Sequence, residues 1–321
     1  MRIHILVYDD VFDTGLAAVL DAFSLANKFS KRDGRSGVSF KTSVVGVRTR
    51  VRSGLGFQIP IQPIQPTPKP DWVILPAIVA GAPAQLVAAL GRRDLAEVRT
   101  QVLAWADKGT KVAAACIGTF ILAEAGLLDE REATTTWWLA PLFRQRYPEV
   151  LLDETRMLVP TDVGVTAGAA MGHMDLALWL IRQSSPDLAS MVARYLLADV
   201  RSSQIPYIVP SHLAQADPLI QRFERWARAN LKNGFSLQDV AKSLGVGPRT
   251  LQRRCNDVLG KSPLDFFQDL RVERARALIA DNDLDIEDIA GEVGYVDGAT
   301  LRTLLRQRLG RSVRELRSDL G

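Results

Sequence analysis

The sequence is poor in the residues that carry metal and thiol chemistry. It has two cysteines, Cys116 and Cys255, too far apart to read as a disulfide framework and without metal-ligand spacing. Its three histidines, His4, His173 and His212, leave few bases that titrate near neutral pH. No hydrophobic run is long: the longest, Val112 to Ala123, stops at Glu124 and is too short to cross a bilayer. The opening Met1-Arg-Ile-His-Ile-Leu-Val enters a strand-like run at once and lacks a cleavable signal pattern. These absences lead to the expectation of a cytoplasmic protein with no metal, no cofactor and no membrane partner. Charge of one sign is also scarce, since 40 basic and 36 acidic residues leave a net +4, which says little about partners until its distribution is read. A length of 321 residues suits two domains.

What is present is a repetition. Ser236–Val246 reads SLQDVAKSLGV and Asp285–Tyr295 reads DIEDIAGEVGY. Ala241 and Gly245 recur 49 residues on as Ala290 and Gly294, while Leu251 and Gly260 recur 50 residues on as Leu301 and Gly310. Each copy predicts a helix, a glycine turn and a second helix. Leu237, Val240, Ala241 and Leu244 have the spacing of one buried helical face. Ser236 with Asp239 resembles a capping box, and Pro248 suits the first position of the next helix. Leu251 faces inward, leaving Arg249, Thr250, Gln252, Arg253 and Arg254 on other faces. Two basic second helices in tandem point to double-stranded DNA, with each second helix in a major groove. The acids of 281–288 start the second copy's first helix, and arginines gather at 302, 306, 308, 311, 314 and 317.

Residues 236–317 resemble the AraC/XylS-type DNA-binding domain. The resemblance rests on Ala241-x3-Gly245-Val246, Arg249-Thr250-Leu251-Gln252-Arg253, Gly260-x-Ser262-Pro263 and Arg271-x2-Arg274-Ala275. It continues through Ile289-Ala290-x2-Val293-Gly294-Tyr295 and Gly310-x-Ser312. It implies two helix-turn-helix units joined by a long helix, here about 264–279. Cys255, Leu301 and Leu305 stand where the family usually has Phe, Val313 replaces a common Pro and Leu316 a common aromatic. The residues expected at DNA are Arg249, Thr250, Gln252 and Arg253 in the first unit, and Thr300, Arg302, Thr303 and Arg306 in the second. The first unit is expected to do more base reading, and the second more gripping of the backbone.

The first two hundred residues alternate strand-like and helix-like segments. Strands are predicted over 3–7, 40–47, 72–76, 111–115 and 161–165, with helices over 15–27, 84–90, 95–108, 119–128, 175–184 and 188–199. The fold class is therefore an α/β N-terminal domain, a mostly parallel flavodoxin-like sheet with helices on both faces, followed by an all-α C-terminal domain. The boundaries read 1–201, a proline-marked linker over 202–218, and 219–321, which opens with a helix over 219–231. At Val112-Ala-Ala-Ala-Cys116-Ile-Gly118 a buried strand ends at a cysteine just before a helix. This is the layout of a nucleophile elbow, with Gly118 allowing the tight turn and the helix N-terminus favouring a thiolate. The competing reading is a small cysteine buried in a core.

Residues 1–200 resemble the PfpI-like, class I glutamine-amidotransferase-like domain. The match is carried by Cys116-x-Gly118-x3-Leu122-Ala123-x-Ala125-Gly126-Leu127-Leu128, Ala133-Thr134-Thr135 and Trp137, with weaker support from Asp71–Pro76 and Thr166-Ala-Gly168. With the AraC-type tail this is the layout of the GlxA-type transcriptional regulators. Catalytic relatives place a histidine directly after the elbow cysteine, where this chain has Ile117; many such regulators carry one before the tryptophan, where it has Thr136. General-base transfer commonly contributes about 10²–10⁴-fold, so its loss predicts no catalytic residues, Cys116 being a vestige. The resemblance implies a small nitrogenous effector, a homodimer and contact with the transcription machinery. Asp13, Cys116, Ile117, Trp137 and Trp138 are expected at the ligand, the tryptophans as an aromatic face for a cation or as plain packing. The rival function is a thiol amidase using Cys116 and merely tethered to DNA.

Overall fold

A computed structural model describes residues 1–32, 38–64, 68–199, 201–281 and 284–318. Residues 65–67 of the proline-rich connector and Asn282–Asp283 of the acidic stretch lie outside the described residues. Two compact units emerge: Met1–Leu139 with Arg146–Gln204, and Ala140–Gln145 with Ile205–Gly321.

In the first unit the strands are β1 (Arg2–Val7), β2 (Lys41–Gly46), β3 (Val51–Arg52), β4 (Gln58–Ile59), β5 (Gln62–Pro63), β6 (Trp72–Leu75), β7 (Lys111–Ala115), β8 (Glu132–Ala133), β9 (Leu151–Leu152), β10 (Leu158–Pro160) and β11 (Gly164–Ala167). Its helices are α1 (Asp13–Arg32), α2 (Pro83–Leu90), α3 (Arg93–Ala106), α4 (Gly118–Glu124), α6 (Gly172–Ser184) and α7 (Pro186–Tyr195), while α5 (Ala140–Arg146) falls almost wholly in the second unit. The main sheet runs β10-β11-β7-β6-β1-β2-β5 and is parallel except where β10 meets β11. Alternation along β1 separates its two buried faces. Ile3, Ile5 and Val7 join the core with α1, α6 and α7, whereas His4 turns the other way to meet Trp105 of α3 edge-on at 5.5 Å. The expected α/β class is present.

Several elements differ from expectation. The helix expected over 119–128 is α4, which ends at Glu124 because Gly126 takes a left-handed φ of 71°. The strand expected over 161–165 is β11, displaced to Gly164–Ala167, and it is preceded by the unforeseen antiparallel β10. Helix α6 starts at Gly172, which places His173 inside its first turn.

The expected linker 202–218 is structured. Ser202 accepts the Met157 amide, Gln204 is fully buried, and Ile205 onward belongs to the second unit. There α8 (Pro210–Ala214) precedes α9 (Pro218–Ala229), which Asp217 caps through the amides of Leu219 and Ile220. Of the three prolines that suggested a connector, Pro210 and Pro218 occupy the first positions of these helices, where a missing N–H costs nothing, and Pro206 lies in a 3-10 turn.

The remaining helices are α10 (Leu237–Ser243), α11 (Pro248–Leu259), α12 (Pro263–Asp281), α13 (Ile286–Glu292), α14 (Gly298–Leu309) and α15 (Val313–Ser318). Both copies of the repeat are thus helix-turn-helix units, α10–α11 and α13–α14, with α12 between them. The substituted core positions are filled without aromatics: Cys255, Leu301 and Leu305 are fully buried and Leu316 nearly so. In the second copy Leu301, Leu305 and Leu316 share one apolar cluster with Ile289, Ala290 and Ala275.

Candidate functional site

The two helix-turn-helix units are built by the same local chemistry. Ser236 accepts the Asp239 amide at the start of α10, and Asp285 accepts the Ile286 amide at the start of α13. Gly245 and Gly294 then turn at φ of 68° and 83°, a left-handed conformation that disfavours any side chain. The second turn is one residue longer, which accounts for the shift in offset from 49 to 50. Its extra length leaves Val296 fully exposed and supplies Asp297, whose carboxylate caps α14 through the Thr300 amide at 2.7 Å. The first unit has Gly247 at that place, with no side-chain cap.

Leu251 and Cys255 bury one side of α11; Arg249, Thr250, Arg253 and Asn256 are exposed, and Gln252 is half-buried. Arg249, Gln252, Arg253 and Asn256 line one shallow groove with Leu237 and Pro248. On α14, Leu301 and Leu305 are buried, while Ala299, Thr300, Arg302, Thr303 and Arg306 are exposed. All eight residues expected at DNA therefore lie on the outer faces of the two second helices. Arg254 does not share that role, because it forms an ion pair with Asp217 at 2.5 Å and joins α11 to the cap of α9.

The arginine cluster of the second unit is not a uniform grip. Arg308 spans Asp265 and Asp269 of α12 at 2.8 and 3.1 Å, and Arg317 donates to the Leu284 carbonyl at 2.6 Å. Arg302 lies 3.9 Å from Glu287, and Glu287 in turn accepts the Gly298 amide. Two of the six arginines thus hold α14 and α15 in place.

Arg271 is a residue whose role the sequence does not announce. It is almost fully buried in α12, donates to the carbonyls of Leu231 and Gly294, and its guanidinium stacks 4.7 Å from both the Phe267 and Tyr295 rings. It ties the long helix to the turn of the second unit. The available signal is its inward position in the apolar spacing Phe267, Leu270, Ala275 and Leu278.

In the first unit the elbow forms as expected, with a different origin for its sharpness. Cys116 itself takes the left-handed conformation, φ 55°, a strain of about 1–3 kcal/mol. Three hydrogen bonds hold it there: its N–H donates to Ala167, and its carbonyl accepts from the Thr135 hydroxyl at 2.7 Å and the Thr119 amide. Gly118 serves close approach instead, since a Cβ there would lie 2.4 Å from the Leu75 carbonyl. Helix α4 consequently sits directly on the end of β6.

The thiol is not a thiolate. Cys116 is 4 % exposed, and burial pushes its pKa up to about 12, only partly offset by the Ile117 amide and the Thr136 hydroxyl. Among the described residues Thr136 Oγ1, fully buried, has no hydrogen-bond partner of standard geometry, although it lies close enough to the thiol to lower its pKa. His173 is no base for Cys116. Its Nε2 accepts the Ala77 amide at 3.0 Å and its Nδ1 lies 2.6 Å from the Ala170 carbonyl, which fixes the neutral tautomer with the proton on Nδ1. Burial lowers its pKa to about 4.

The expected ligand residues are only partly brought together. Cys116 and Ile117 are contiguous and buried at the elbow, with Thr135 and Thr136 against it. Trp137 and Trp138 follow in a short 3-10 turn, half-buried, their rings edge to face at 5.7 Å and 86°. Asp13 opens α1, where its carboxylate accepts the Leu55 amide, and no hydrogen bond joins it to the elbow among the described residues. Asp9 and Asp10, the other acids just after β1, are committed to the Arg52 amide and to Arg92. Among the described residues no group of three or more His, Cys, Asp or Glu could hold a metal ion, and no helix is long and apolar enough to cross a membrane.

The class defined by this geometry is a parallel-sheet α/β unit combined with a double helix-turn-helix unit. Residues 240–319 match the model of a helix-turn-helix domain. The chain is 27 % identical over 215 residues to the HTH-type transcriptional regulator GbdR of Pseudomonas aeruginosa, a match spanning 66 % of this chain and 58 % of that regulator. It is 25 % identical over 222 residues to the HTH-type transcriptional regulator GlxA of Rhizobium meliloti, covering 66 % of this chain and 67 % of that one. A crystal structure of an AraC family transcriptional regulator from Pseudomonas putida covers 61 % of this chain and 98 % of its own at 18 % identity, with a TM-score of 0.50, a likeness of fold. The C-terminal unit carries a helix-turn-helix domain, as its two matched helix pairs show.

Proposed function

We propose that the chain is a sequence-specific DNA-binding transcriptional regulator controlled by a small nitrogenous metabolite held in its parallel-sheet unit. The observation that carries this reading is the pair of matched helix-turn-helix units, each with a polar outer face on its second helix. The regulators it resembles support the same reading. Arg249, Thr250, Gln252 and Arg253 read one major-groove segment, and Thr300, Arg302, Thr303 and Arg306 meet the next. A homodimer formed through the first unit presents these to repeated half-sites and to the transcription machinery.

In this reading the elbow is a retired active site and its surroundings form the sensor, with Asp13, Cys116, Ile117, Trp137 and Trp138 around the effector. Support comes from the protonated thiol, from Ile117 in place of a base, and from the two committed nitrogens of His173. The rival, a thiol amidase, requires cysteine-dependent turnover of an amide substrate by the full chain.

The test is binding of the full chain to a duplex selected from random DNA. Arg249→Ala and Arg253→Ala should each cost about 1–3 kcal/mol and relax one base position. Unchanged affinity in both variants contradicts the placement of α11 in a groove.

A further inference from the structure

The two second helices offer different chemistry on the same face. The offset of 50 sets Arg249 against Ala299, Gln252 against Arg302, Arg253 against Thr303 and Asn256 against Arg306. On α11 the positions nearest the N-terminus carry long hydrogen-bond donors. On α14 the two positions matching Arg249 and Arg253 carry the methyl groups of Ala299 and Thr303, Arg302 and Arg306 stand beside them, and the exposed Val296 precedes them in the turn.

The threonine hydroxyls of α14 are already engaged as donors. Thr303 donates to the Ala299 carbonyl one turn back at 3.0 Å, and Thr300 donates to Asp297 at 3.2 Å. Back-bonding fixes the Thr303 side chain in one staggered position and leaves its methyl as the group on offer to a partner. A recognition helix contacts base edges with its N-terminal residues, and the major-groove edges of the four bases carry one methyl, on C5 of thymine.

We infer that α14 recognises thymine by its C5 methyl through Val296, Ala299 and Thr303, while α11 reads purine edges by hydrogen bonds from Arg249, Gln252 and Arg253. Arg302 and Arg306 flank the apolar strip and meet phosphates. The inference rests on the DNA-binding reading above and adds to it the base that the second unit selects. The operator then joins a guanine- or adenine-reading element to a thymine-bearing element about one helical turn away.

Deoxyuridine differs from thymidine only by that methyl, so it isolates the contact. In a duplex selected by the full chain, thymines are replaced by deoxyuridine in one element at a time. The expected result is a loss of about fourfold for each contacted thymine in one element and none in the other, the fold-change for one buried methyl. Thr303→Ser keeps the hydroxyl and its back-bond but deletes the methyl. It should lose about fourfold on thymine DNA and nothing further on the deoxyuridine duplex. Equal binding of thymine and deoxyuridine duplexes overturns the inference while DNA binding stands. An equal loss by Thr303→Ser on both duplexes removes Thr303 from the contact. Failure to select any duplex overturns the DNA-binding reading and this inference with it.

Discussion

A thiol just ahead of a helix feels the helix dipole, but at Cys116 burial outweighs it. The neighbouring Ile117 amide and Thr136 hydroxyl pull the pKa down, and removal from water pushes it up to about 12. The native chain should therefore resist alkylation by iodoacetamide at pH 7–8 at Cys116, as at the buried Cys255, and label at both once unfolded. Rapid native labelling of Cys116, identified by peptide mass, contradicts this. His173 gives a second measurable consequence. Its folded pKa of about 4 lies below the ordinary 6.5, so the unfolded chain binds the proton more readily. Its contribution to stability is full above pH 6.5 and is lost as pH falls toward 4, at up to about 1.4 kcal/mol per pH unit. The thermal midpoint of the wild type should fall more steeply over that window than that of His173→Gln, and parallel slopes count against the assignment. The cysteine's position in an elbow was legible in the strand-then-helix pattern. Its protonation state was not, because burial depends on the strands and loops that close over it, including Ala167 and Thr135, which are distant in sequence.

At the scale of elements, the repeat at 236–317 was legible because its signals are local: a capping residue, an apolar face, a glycine turn and, in the first copy, a proline opening the next helix. Those signals located α10, α11, α13 and α14, while the long α12 between them was expected from the family resemblance. The role of α12's Arg271 was less visible, since its partners Leu231 and Gly294 lie 40 and 23 residues away. Arg271→Ala strands two carbonyls and two ring faces, and should cost about 2–4 kcal/mol in the unfolding free energy of the C-terminal unit. Arg271→Lys should recover only part of that, because an ammonium cannot donate as a fork while stacking. Full recovery in the lysine variant would leave charge alone as the cause. The expectation that the second unit mainly grips the DNA backbone is narrowed by Arg308 and Arg317, whose donors are already engaged with Asp265, Asp269 and the Leu284 carbonyl. The expected linker holds helices for a related reason: prolines mark helix starts as readily as connectors, and only packing distinguishes the two.

For the whole molecule, composition offered little, with balanced charge and ordinary apolar content. Alternation of strands and helices was enough to indicate a parallel sheet, but not its order, nor β10, whose pairing with β11 is antiparallel. The proposed function gives the sheet unit the sensing and the helical unit the reading of DNA. If the sensing assignment is right, calorimetry with a panel of quaternary ammonium compounds should detect binding that Trp137→Ala or Trp138→Ala weakens. Absence of binding by the whole panel removes the aromatic-face argument for the effector.

The central claim is that both helix-turn-helix units engage DNA together, and hydroxyl-radical and methylation footprinting of the full chain on its selected duplex tests it most directly. The account predicts two protected major-groove segments on one face, centred about 10–10.5 base pairs apart for each bound chain. A single protected segment per chain, or protection independent of sequence, would contradict it.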